Sequence, residues 1–88
     1  MATYVLKAET GHFHYQGSDV NLTVNRISQA VEGEAGIPPG AKKEVKDFIQ
    51  SVLDSASDVT NELIVNIPTE LAEFSEPIIA IIRALLGV

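Results

Sequence analysis

Apolar and polar residues alternate one for one at the start of the chain, and further on this period of two gives way to one near 3.6. Tyr4, Leu6 and Ala8 alternate with Val5, Lys7 and Glu9. Phe13 and Tyr15 alternate with His12, His14 and Gln16, and Val20, Leu22 and Val24 with Asn21, Thr23 and Asn25. Successive strand residues point to opposite faces, so the pattern predicts three short strands. Gly11 in "ETG" and Gly17 in "QGSD" supply residues suited to tight antiparallel connections, which makes residues 1–31 a β-meander. Val20, Val24, Ile27 and Val31 also fit a helical stripe starting at an Asp19 cap. The β-branched Thr23 and Val24 favour strand as far as Asn25, with a short helix or irregular segment from Ile27 to Val31.

The stretch "EGEAGIPPG", residues 32–40, holds Gly33, Gly36, Gly40 and the Pro38-Pro39 pair, and reads as a hinge. Beyond it Val45, Phe48, Ile49, Val52, Leu53, Ala56, Val59, Leu63 and Ile64 fall in one broad helical stripe. No Gly or Pro interrupts residues 41–66, so one helix of ~39 Å is possible at 1.5 Å per residue. Its weak point is "DSASD", Asp54 to Asp58, which could end one helix and cap another. Pro68 stops the helix, and Thr69 or Asn66 can cap the next. There Leu71, Phe74, Ile78, Ile81, Ile82 and Leu85 form a second stripe, with Glu70 and Glu73 in the first turn where the helix dipole favours acid. Pro77 either kinks this helix or opens a new one from a Ser75 cap. The expected class is α+β: a small N-terminal antiparallel β-meander followed by two or three amphipathic helices, in a single domain whose residues 41–88 are the helical part.

Composition sharpens this picture. With 88 residues and no cysteine, the chain can rely on neither a disulfide nor a thiolate metal site, and a core of this size is marginal alone. Ile79 and Leu86 widen the C-terminal apolar arc beyond what one neighbouring helix covers, so Phe74, Ile78, Ile79, Ile81, Ile82, Leu85 and Leu86 are the expected oligomer interface. The net charge of -6, from 12 acidic against 6 basic residues, argues against nucleic acid and anionic membranes as partners. Pro77 to Val88 is too short to span a bilayer and carries Arg83. The N-terminus lacks the basic start and apolar run of a signal peptide, so a cytoplasmic origin is expected.

Candidate chemistry is sparse. His12 and His14 share one face of their strand, opposite Phe13 and Tyr15. Two imidazoles so placed can share a divalent metal, yet only Glu9 and Asp19 lie near enough in sequence to complete the ligand set. A solvated face or polar subunit contact is the simpler account, although a trimer axis could gather three copies of either histidine. The serines lack the tight elbow that exposes a nucleophile, so no catalytic residue and no cofactor is expected. Asp54, Asp58 and Glu62 would line one face of a long helix, where a solvated ridge is the usual explanation. "GEAGIPPG" is not followed by Lys-Ser or Lys-Thr and does not cradle phosphate.

The residues "YVLKAETGHFHYQGSDVNL" resemble a short β-repeat of structural proteins in tailed bacteriophages. Tyr4, Leu6, Ala8, Gly11, Phe13, Gly17, Asp19, Val20 and Leu22 fall on its pattern, and Tyr15 stands where Leu is more usual. The resemblance covers about the first quarter of the chain, in one copy, and implies a virion component without enzymatic activity. Two functional expectations follow. One is a structural assembly protein, an accessory part of a phage head, neck or tail, that oligomerises and docks on other structural proteins. The other is a small membrane-active or toxin-like protein that uses its apolar C-terminal helix. The acidic Glu70, Glu73 and Glu76 weigh against the second, because interfacial helices usually present Lys and Arg.

Overall fold

The first strand finds its partner far along the chain. The computed structural model describes residues 2–12, 20–56 and 60–86. In it β1 (Ala2–His12) pairs antiparallel with β2 (Thr60–Ile67), and α1 (Val20–Glu32) and α2 (Lys42–Ala56) lie between them in sequence. A six-residue 3-10 segment, Thr69–Phe74, follows β2 and leads into α3 (Ser75–Leu86). The class is α+β, with an antiparallel sheet and amphipathic helices.

The sheet differs from the meander in where its second strand arises. Residues 20–24 are helical, because Ile27 and Val31 become buried on the 3.6-period stripe and that burial outweighs the strand preference of Thr23 and Val24. The strand expected over 12–16 lies mostly outside the described residues, as does the Asp19 cap. Conversely the long helix over 41–66 is two elements. Its first described part, α2, runs to Ala56 inside the "DSASD" stretch, where the Ser55 hydroxyl donates to the Ser51 carbonyl at 3.1 Å and competes with the helical ladder. The next described residues, 60–67, form a strand in which Leu63, Val65 and Ile67 point inward while Glu62, Ile64 and Asn66 point outward. Four of these eight residues, Thr60, Ile64, Val65 and Ile67, are β-branched and suit an extended backbone.

A two-stranded sheet is marginal by itself and needs a layer packed on it. Leu6 from β1 and the three inward residues of β2 join one core with Ile27, Val31, Val45, Ile49, Leu53, Ile78 and Ile82 from the helices. The molecule therefore has two layers, with helices against one face of the sheet. In α2 the spacing of Val45, Ile49, Val52 and Leu53 places all four on the stripe that meets the core. Pro68 ends the strand and, with φ of -61° and ψ of 154°, opens the 3-10 segment, whose Leu71 amide donates to the Pro68 carbonyl at 3.0 Å. Neither Thr69 nor Asn66 caps it through a side chain. Pro77 sits in the first turn of α3, where its missing amide proton costs no helical hydrogen bond. The nearly enclosed Ser75 donates its hydroxyl proton to the Ala72 carbonyl at 2.6 Å.

The Gly/Pro hinge is a tied connection. The Gly33 amide donates to the Gln29 carbonyl at 3.0 Å, Glu34 to Val31 at 3.2 Å, and Ile37 to Glu34 at 3.3 Å. The Ile37 side chain enters the core. Across the bend the two oxygens of Glu32 each receive an ammonium at 2.8 Å, one from Lys42 and one from Lys46. These bonds, the Lys42 contact foremost, lower the Glu32 carboxyl from 4.5 to about 2.

Candidate interaction surface

Alternation along both strands builds a surface as well as a core. Between Ala2 and Lys7 the register is unbroken: Thr3 stands opposite Asn66, Val5 opposite Ile64 and Lys7 opposite Glu62. All six point away from the helices and are exposed. Val5 is 47% and Ile64 61% exposed, and with Val24 on α1 they are the exposed large hydrophobic residues among those described. Polar pairs flank this apolar centre. The Thr3 hydroxyl donates to the Asn66 side-chain oxygen at 2.9 Å, and the Lys7 ammonium stands 3.9 Å from the Glu62 carboxylate. The open face thus carries an apolar row between a neutral hydrogen-bonded row and a charged row. Beyond Lys7 the register shifts, and His12 comes opposite Thr60.

The residues proposed from sequence are distributed otherwise. Ile78 and Ile82 are fully enclosed, Ile79 and Ile81 are 6% and 7% exposed, and Leu86 is enclosed as well. Phe74 and Leu85 pack against the same core. Their burial lies within one chain, because α3 meets both α1 and α2, and two neighbours cover an arc too wide for one. The expected exposure of Ile79, Ile81 and Leu86 is therefore absent from the fold, and so is the reason to place a subunit contact there.

His12 lies on β1, but its side chain and the whole of His14 and Asp19 lie outside the described residues. Among the described residues no group of three or more His, Asp or Glu stands together as a metal-binding set. Of the expected carboxylate ridge, Asp54 and Glu62 lie on different elements, α2 and β2. Asp54 accepts a 3.0 Å hydrogen bond from Gln50 on α2, Glu62 pairs with Lys7 on the sheet, and Asp58 lies outside the described residues. No described helix is long and apolar enough to cross a membrane.

Comparison with known proteins finds no matching family model, no similar curated protein and no similar solved structure.

A shallow groove of about 240 Å³ between α1 and α2 is lined by Val24, Ile27, Ser28, Lys46, Asp47 and Gln50. Its charged groups are engaged elsewhere, Lys46 with Glu32 and Asp47 with Lys43 at 3.8 Å. The open face was partly visible in the sequence, since Val5 alternates with the inward Tyr4 and Leu6. Its other half is masked in the sequence because Leu63 and Ile64 continue the apolar stripe of α2.

Proposed function

We propose that this chain is a non-catalytic assembly protein that associates with copies of itself through the open face of its sheet. The resemblance of its N-terminal residues extends the reading to an accessory structural component of a tailed-bacteriophage virion, docked on other structural proteins. The observation that carries the proposal is the Val5 and Ile64 pair, two large apolar side chains placed together on the side of the sheet that none of the described helices covers. Buried apolar area drives association, and a sheet covered on one side gains most from a second layer on the other. The membrane-active alternative depended on an apolar stripe free to enter lipid, and the isoleucines of that stripe form the interior of the chain.

Light scattering over a rising concentration series tests the proposal. The wild type is expected to gain mass towards a dimer or larger species while Ile64→Lys stays monomeric, because the new ammonium would have to lose its water in the contact. A wild type that keeps monomer mass throughout, or an Ile64→Lys variant that associates equally well, would count against it.

A further inference from the structure

The order of residues on the open face goes further than self-association and fixes how two copies meet. We infer that a second copy docks face to face about a two-fold axis running along the strands, so that each Lys7 stands over the partner's Glu62 and each Val5 over the partner's Ile64. This rests on the self-association proposed above and adds its geometry and its specificity-determining residues.

The face is a grid of two strands and three rows, with Thr3, Val5 and Lys7 on one strand and Asn66, Ile64 and Glu62 directly opposite. Two such grids can be brought together by a two-fold axis in the plane of contact in two simple ways. An axis along the strands keeps each row in place and exchanges the columns: Lys7 meets Glu62, Glu62 meets Lys7, and the apolar rows coincide. An axis across the strands exchanges the first and third rows instead. Lys7 then meets Thr3, Glu62 meets Asn66, and no new opposite-charge contact forms. Only the first arrangement is complementary in charge as well as in apolarity, and isologous contacts require such self-complementarity. Sheets stacked in this way lie about 10 Å apart with strands within about 30° of parallel, a gap that Lys and Glu side chains at the rim can span. The 3.9 Å separation of Lys7 and Glu62 within one chain, with both side chains more than half exposed, leaves them free to reach a partner.

The test is a charge exchange followed by sedimentation equilibrium. Lys7→Glu puts two acidic residues in the third row, and Glu62→Lys puts two basic ones there. Each variant alone is expected to dimerise at least about tenfold more weakly than the wild type, a change worth about 1.4 kcal/mol. Mixed in equal amounts, they are expected to form a one-to-one heterodimer of wild-type affinity, because the two carboxylates of one variant then face the two ammonium groups of the other. If a single variant fails to fold, the double variant Lys7→Glu/Glu62→Lys takes its place. It should pair with itself and sort away from isotopically labelled wild type in native mass spectrometry. Single variants that dimerise as the wild type does, or a mixture that does not recover affinity, or a double variant that mixes freely with the wild type, would overturn the two-fold geometry while leaving self-association standing. A wild type that stays monomeric would remove both.

Discussion

Leu6 stands directly opposite Leu63 across the two strands, and both side chains are enclosed by the helical layer. One residue back along β1 and one forward along β2, Val5 and Ile64 face solvent. A shift of one residue in this register would exchange the two sets and turn the core outward, so the inward leucines fix which pairs reach the open face.

The two faces should respond differently to truncation. Leu63→Ala removes buried volume and is expected to lower stability by about 2 to 5 kcal/mol. Ile64→Ala, next to it on the exposed side, should change the stability of the monomer by less than about 1 kcal/mol. Urea unfolding at low protein concentration measures both. Equal losses would point to the helix that the sequence pattern first indicated for this stretch, since a helix places the neighbours Leu63 and Ile64 on overlapping parts of one stripe.

Ile82→Asp should unfold the chain rather than dissociate it. The side chain is fully enclosed in the core, and a carboxylate there would lose its hydration with no basic group in the cluster to pair with. At ~0.05 to 0.15 kcal/mol of stability per residue, a domain of this length cannot absorb that penalty. Circular dichroism should show lost structure at every protein concentration. A folded Ile82→Asp monomer would place this residue at a subunit contact after all.

Glu32 makes stability depend on pH at the acid end. Its carboxyl is lowered on folding from 4.5 to about 2, so the bonds to Lys42 and Lys46 contribute fully above about pH 4.5, and the contribution is lost as pH falls towards 2. Urea midpoints of the wild type and Glu32→Gln should differ by a constant amount above pH 4.5 and converge below it. A difference that persists unchanged at pH 2 would mean that the charge on Glu32 does not tie α1 to α2.

Much of this organisation was legible in the pattern of residues. The inward positions Tyr4 and Leu6 follow from the period of two, and the stripe of Val45, Ile49 and Leu53 from the period of 3.6. The second strand was not, for a physical reason. Leu63 and Ile64 are adjacent and both apolar, which extends the stripe of α2, and only pairing with the distant β1 makes Ile64 the outward neighbour of an inward leucine. Residues 20–24 fail in the opposite direction, since their alternation is real but the burial of Ile27 and Val31 decides the backbone. The burial of Ile79, Ile81 and Leu86 was hidden as well, because sequence shows how wide an apolar arc is and not how many elements surround it. The candidate surface needed both strands and could not be read from either alone.

Backbone amide chemical shifts of the wild type, followed by heteronuclear NMR as the protein is concentrated, test the central claim most directly. Self-association through the open sheet face predicts progressive shifts confined to β1 and β2, largest around Val5 and Ile64 and absent from α3. Shifts centred on α3, or none at any concentration, would contradict it.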